Sequence, residues 1–274
     1  HRTDRHATRR GVRLLSRWSF RRSAQGDAAS LSRRRTAGDR RHAILLESVE
    51  GGSARGRYSI IGLPAQKRIE VCGHNVRLFQ QQQLVEEQHI EDPLAFIEQY
   101  QQQFKVPVVE GLPRFTGGLV GYFAYDTVRL FEKKLAKIQK PDPLNVPDIH
   151  LMLSEEVVVF DNLKESVFII IHVDPQQDDA YQQGVQRLQQ LAAQLQHNVV
   201  TLAAHQPSEK TISEADFVSG FGQEAFKAGV ERIKEYILAG DVMQVVPSQR
   251  MTVAFKHSPL ALYRALRHLN PSPY

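Results

Sequence analysis

Three features of the sequence predict an α+β fold. Apolar runs of strand length recur between turn signals. Helical stripes at three- and four-residue spacing interrupt them. The two do not alternate strictly, as they would in a chain of βαβ units. At 274 residues and 42% hydrophobic content, the chain is large enough to bury a sizeable core. Mixed and antiparallel sheets with helices outside are therefore expected.

Residues 1–42 stand apart from the rest. They carry thirteen Arg, no Lys and three Asp, so the net charge of +5 averages a basic segment with a mildly acidic remainder. Clustered Arg can neutralise phosphate, which makes a nucleic-acid arm one reading. The segment has neither a clean helical nor a clean strand period. A GC-rich gene read out of frame yields such Arg-, Ala-, Ser- and Gly-rich text without Lys. A non-native segment, disordered or out of frame, is the expectation for 1–42, ahead of an Arg- and Ser-rich presequence.

From Ala43 the pattern becomes that of a folded domain. "AILLESV" and "GRYSIIGL" read as strands on either side of Gly51-Gly52. "KRIEVC" and "NVRLF" read as two more, joined at Gly73-His74, and 43–79 should form one antiparallel meander. Asp92 and Pro93 begin a helix whose apolar stripe is Leu94, Ile97, Tyr100 and Phe104. The Gln runs at 80–83 and 101–103 read as solvated surface. "GLPRFTGGLVGYFAYD" lacks the Lys and the strand–loop–helix order of a phosphate loop. Its glycines are read as letting a buried strand approach its neighbours closely.

"IHLMLSEEVVVFDNLKESVFIIIHVD" is a long hairpin turning at Asp161–Glu165, with its acids expected at the surface. A helix follows with Tyr181, Val185, Leu188, Leu191 and Leu195 in line, then a polar linker over 197–215. Phe226, Val230, Ile233 and Ile237 stripe a further helix that Gly240 ends. "DVMQVVPSQRMTVAF" reads as a long strand with Pro247 at an edge or bulge. Ser258 caps a last helix, Pro259 to Leu269. The divisions so drawn are 43–196, the linker 197–215, and 216–274.

Composition narrows the function classes. A single cysteine, Cys72, excludes an internal disulfide framework, and a reducing cytoplasm is the expected location. No apolar run reaches the length of a membrane span. Neither a membrane nor a nucleic-acid partner is expected. The eleven histidines show no metal-ligand spacing with cysteine or carboxylate partners. No Ser/His/Asp order and no cysteine-nucleophile context is visible. Residue chemistry alone stops there.

Four stretches carry more. "LLESVEGGSARGRYSIIGLP", "GLPRFTGGLVGYFAYD", "RIKEYILAGDVMQVVPSQR" and "PLALYRALRHLNPSPY" occur in that order. Together they resemble the anthranilate synthase component I family, from about Ala43 to Tyr274. The resemblance implies a chain nearly twice this long, with 43–196 a regulatory region and 216–274 the start of a chorismate-binding domain. The implied reaction turns chorismate into anthranilate and pyruvate in tryptophan biosynthesis. It uses ammonia from a glutamine amidotransferase subunit and a bound Mg²⁺ whose ligands would lie downstream of Tyr274.

The resemblance also implies sites. Gln244 stands where isochorismate-forming relatives carry a water-activating Lys. A neutral amide cannot be that base, which suits ammonia as nucleophile; a plain strand amide is the other reading. An L-tryptophan inhibitor site is implied at Glu47, Ser48, Asn270, Pro273 and Tyr274, where acceptors for an ammonium meet a proline-braced slot for an indole. Two alternatives stand beside this. The aminodeoxychorismate synthase large subunit reads "QVNLSQR" where this chain has "QVVPSQR", and it tends to Phe at the Tyr274 position. The other is a non-catalytic, basic-armed nucleic-acid-binding protein. The 274 residues by themselves are expected to be inactive.

Overall fold

The computed structural model describes residues 2–8, 11–19, 42–47, 56–137, 141–197 and 212–270. The chain divides into two units, His1–Thr201 with Pro271–Tyr274, and Leu202–Asn270. The fold is α+β, and the strand pairings described are all antiparallel.

The first unit holds two sheets. Strands β1 (Arg2–Thr8), β2 (Gly11–Ser19), β3 (Ile44–Glu47), β4 (Tyr58–Gly62), β5 (Lys67–Cys72), β6 (Asn75–Gln80) and β7 (Gln83–His89) come first. Helix α1 (Pro93–Gln102), strand β8 (Gly118–Phe123), a 3-10 turn (Tyr125–Leu130) and the one-turn helix α2 (Lys133–Ala136) follow. Strands β9 (Ile149–Ser154), β10 (Glu156–Asp161) and β11 (Ser166–Val173) and helix α3 (Ala180–His197) complete the unit. One sheet has six strands in the order β1-β2-β11-β10-β4-β3, and the other five in the order β7-β6-β5-β9-β8.

The expected single meander over 43–79 is therefore two hairpins on two sheets. β3 pairs with β4 and β5 with β6, but β4 continues onto β10 and β5 onto β9. The chain crosses between sheets twice, at Leu63–Gln66 and at Glu155. The crossings lie side by side. The Leu63 N–H donates to Glu156 O at 2.9 Å, and Lys67 Nζ meets Glu155 Oε1 at 3.2 Å. Pro64 cannot donate to a ladder, so pairing stops there and the strand direction can change. The expected hairpin turn at Asp161–Glu165 is present, as β10 and β11 pair from Glu156–Ile171 to Asp161–Ser166.

The uninterrupted apolar runs in β10 and β11 have a physical reason. Both faces of the six-stranded sheet are covered, so every position is a core position. Val158, Phe160, Val167, Ile169 and Ile171 face α3 and meet Leu188, Leu191 and Ala192. Val157, Val159, Phe168 and Ile170 face the other way, under Val109, Leu112 and Phe115. Each fully buried side chain of this kind contributes about 1.5–3 kcal/mol. On the five-stranded sheet, Ile69, Val71, Val76, Ile149 and Leu151 pack with Ile97 of α1. Asp92 caps α1 as expected, accepting from the N–H groups of Leu94 and Ala95. Of the expected stripe, Phe104 lies past the helix end and is exposed.

Within 1–42, the segment expected to be disordered or out of frame, two stretches are described as strands. Residues 2–8 and 11–19 are strands, and β2 pairs with β11 over eight positions. Val12, Leu14 and Trp18 lie at alternate positions of β2 broken only by Ser16, and their register partners are Val173, Ile171 and Val167, the α3-side positions of β11. The strand signal was present, diluted by the intervening Arg13 and Arg17. Residues 1, 9–10 and 20–41 lie outside the described residues.

The second unit contains a 3-10 turn (Glu214–Asp216), strand β12 (Val218–Ser219), helix α4 (Gln223–Leu238), strand β13 (Met251–Thr252) and helix α5 (Pro259–Leu269). Gly240, at φ 81°, ends the α4 region by donating to Ile237 O, and Ser258 caps α5 by accepting from Ala261 N–H. The long strand expected over Asp241–Phe255 shrinks to Met251–Thr252, paired only with β12. A strand needs a partner ladder, and among the described residues only β12 supplies one. Most of the expected linker 197–215 lies outside the described residues.

Candidate functional site

Glu47 closes β3, with Ser59 of β4 opposite. The preceding residues show why this end is well placed. Leu45 packs on the α3-side core and Leu46 on the opposite one, so the short strand is held on both faces and Glu47 projects from a fixed base. Glu47 is half-buried and engaged with a partner. Ser48, Pro273 and Tyr274 lie outside the described residues. Asn270 belongs to the second unit, where its N–H caps α5 by donating to Leu266 O at 2.8 Å. Gln244, also in the second unit, is exposed and outside any strand. Of the residues read from the sequence as sites, the structure thus gives three their local positions.

The same end of the sheet holds an acid that the sequence reading put at the surface. Asp161 is 3% exposed, because the last position of β10 lies under the hairpin turn. Its carboxylate accepts from Arg57 Nε at 3.4 Å and Nη2 at 3.2 Å, and from the Leu163 and Lys164 amides. Burial pushes this carboxyl up, but the Arg57 and amide hydrogen bonds outweigh it and hold it below the ordinary range. Asx-type bonding to residues two and three ahead is what Asp does at a turn.

Two further constellations were not read from the sequence. On the five-stranded sheet, Glu70 stands opposite His150, and His150 opposite Tyr122. Arg68 Nε donates to Glu70 at 3.0 Å, and the guanidinium carbon Cζ sits 3.7 Å from the Phe79 ring centroid. His150 Nδ1 is 3.5 Å from the same carboxylate, and its ring stacks between His42 and Tyr122. Burial holds the His150 imidazole below its ordinary value, although Glu70 favours the cation. The signal for this row was Arg68 and Glu70 at alternate positions of β5, with the lone His150 in β9. Only the register between strands brings them together.

The second is a cleft of about 550 Å³ beside the two crossings. Lys67 and Glu155 form one wall, and Arg187 and Glu156 another, the latter with two bonds of 2.9 Å. Gln66, Gln177 and Gln183 add amides. The cations are already matched by carboxylates, so the cleft offers no net positive charge to an anion. Among the described residues, no group of three or more His, Cys, Asp or Glu is placed to hold a metal ion. No described helix is long and apolar enough to cross a membrane.

The comparisons with known proteins agree with one another. Residues 42–274 match the family described as chorismate binding enzyme. The chain is 50% identical over 236 residues to anthranilate synthase component 1 of Pseudomonas putida, covering 86% of this chain and 48% of that protein. It is 48% identical over 239 residues to anthranilate synthase component 1 of Neisseria meningitidis serogroup B, with the same coverage. The crystal structure of anthranilate synthase component I from Streptococcus pneumoniae TIGR4 matches with a TM-score of 0.61 at 28% identity. That match covers 94% of this chain and 54% of the other. The chain spans about half the length of the curated relatives it matches.

Proposed function

Because the chain belongs to the chorismate binding enzyme family, we propose that it is the N-terminal part of the large subunit of an anthranilate synthase. The observation that supports this most is the 48–50% identity to component 1 proteins over 236–239 residues, beside the family match to residues 42–274. In this reading 43–196 is a regulatory region, 197–215 a linker and 216–274 the start of the chorismate-binding domain. The partner is a glutamine amidotransferase subunit supplying ammonia, the substrate chorismate, and the location cytoplasmic.

The residues at hand would contribute recognition more than bond-breaking. Glu47 and Ser48, with Asn270, Pro273 and Tyr274, would form the L-tryptophan inhibitor site. A carboxylate suits the ligand's ammonium, and the prolines and Tyr274 suit its flat indole. Gln244 would leave the nucleophile's place to ammonia, since its amide cannot take a proton from water. A bound Mg²⁺ would neutralise a substrate carboxylate and stabilise charge on the departing hydroxyl. In this reading the ligands of that ion would lie downstream of Tyr274.

A chimera tests the reading. Residues 42–274 would be joined to the C-terminal half of the Pseudomonas putida protein and given chorismate, ammonium and Mg²⁺. Anthranilate fluorescence, suppressed by L-tryptophan, is the expected result. Ser48→Phe should raise the inhibitory tryptophan concentration about tenfold or more, a loss of at least about 1.4 kcal/mol in inhibitor binding, with turnover retained. A folded chimera without turnover, beside an active Pseudomonas putida protein, would overturn the assignment. Turnover with inhibition unchanged by Ser48→Phe would move the inhibitor site elsewhere.

A further inference from the structure

The family match begins at residue 42, yet the fold match takes in more of the chain than residues 42–274 make up. Part of the first 41 residues thus follows the fold without following the family's sequence. Within those residues, β1 and β2 are the elements described. β2 lies antiparallel to β11 from Ser19–Ser166 to Val12–Val173, and β1 pairs outside it from Arg2–Arg17 to Thr8–Gly11.

β11 is the strand that most needs a neighbour on that side. Its sequence is SVFIIIHV, with no proline and no charged residue but a titratable His172. Ser166–Ile171 are all buried. Left as an edge, it would present a long, flat, apolar strand with unpaired backbone groups, the feature that invites another chain to pair. β2 occupies that ladder. β1 then ends the sheet in RTDRHAT, and charged residues on an outermost strand discourage further addition.

We propose that residues 2–19 guard the β11 edge, and that with β2 displaced this edge takes a second copy of the chain by strand addition. A second copy fits because β11 complements itself. Two β11 strands paired antiparallel about a twofold axis would continue the apolar rows on both faces, in an interface that closes on itself. The guard rests on the backbone ladder between β2 and β11, eight register pairs from Val12–Val173 to Ser19–Ser166.

Trp18 is the only tryptophan in the chain, so its emission reports on β2 alone. Leu15→Pro combined with Ser16→Pro removes adjacent N–H groups, which point to opposite sides of β2. The expected result is a red shift of Trp18 emission, and a mass by light scattering twice that of the unsubstituted chain. A synthetic peptide of residues 2–19 should reverse the doubling. Arg13→Glu with Arg17→Glu should leave emission and mass unchanged. Amide exchange of the unsubstituted chain should show Gly11–Ser19 protected together with Ser166–Val173. Unprotected Gly11–Ser19 amides would overturn the guard, as would proline variants that match the unsubstituted chain. Glutamate variants that behave like the proline ones would overturn the backbone argument. Growth past the doubled mass, or doubling that the peptide does not reverse, would rule out the β11-paired second copy.

Discussion

Gly121 shows a single residue setting the distance between two strands. A Cβ built there would lie 1.8 Å from His150 O and 3.0 Å from Leu151 Cα, both backbone atoms of the neighbouring strand. Backbone cannot rotate aside as a side-chain tip can, so β8 would have to part from β9. Gly121→Ala is expected to cost about 1–3 kcal/mol or more, read as a lower urea midpoint with an unchanged slope. The glycine's role was legible in the sequence as close strand approach, although β8 proves to be an edge strand with Tyr122 and Phe123 exposed. Asp161 was not legible. Nothing in "VVVFDN" distinguishes a turn acid at the surface from one buried under its own hairpin. Its folded carboxyl sits below the ordinary range, so its contribution is fully present above the unfolded value of about 3.9 and is lost as pH falls through the lower folded value. Asp161→Asn is expected to lower stability by about 1.5–3 kcal/mol near neutral pH. The gap from the unsubstituted chain should narrow in urea titrations taken below about pH 4; a gap independent of pH would remove the charge from the explanation.

Helices were easier to read than sheets, and the reason lies in where the information sits. A helix carries its own pairing, so Asp92, Ser258 and the stripe Leu188, Leu191, Leu195 are enough to place it. A strand's partner is named elsewhere in the chain. "GRYSIIGL" and "KRIEVC" look like neighbours in a meander, and only the later strands β9 and β10 draw them onto different sheets. The same logic governs Asp241–Phe255, whose apolar residues suit a strand but find only Val218–Ser219 to pair with. The α3 stripe makes the energetic point measurable. Leu191 is 2% exposed and meets the buried α3-facing residues of the six-stranded sheet. Leu191→Ala should cost about 2–5 kcal/mol through lost burial and an incompletely collapsed cavity. Exposed Gln189→Ala on the same helix should change stability by less than about 0.5 kcal/mol. Equal losses at the two positions in thermal melts would show that α3 does not pack as described.

At the scale of the molecule, the sequence made the family readable through four motifs, while three residues of the proposed L-tryptophan site, Ser48, Pro273 and Tyr274, lie outside the described residues. Expelling a hydroxyl from a dicarboxylate substrate needs a metal or equivalent positive charge, and a general acid within hydrogen-bond reach. The cleft beside the crossings has its cations matched by carboxylates, Gln244 is an exposed neutral amide, and no described group of acids fits a metal. The second unit also leaves Leu238, Met243, Val246 and Leu269 largely exposed, a set of apolar side chains with room for further packing. On the proposed reading, which places the reacting groups downstream of Tyr274, the 274 residues alone are expected to make no anthranilate from chorismate, with glutamine or with ammonium. The measurement is anthranilate fluorescence from purified chain with Mg²⁺ at mildly alkaline pH, against a no-protein control and the Pseudomonas putida enzyme. Turnover above the control would place the reacting groups within these residues, and would turn attention to the Glu70–His150–Tyr122 row as the cluster of titratable side chains nearest to a working site.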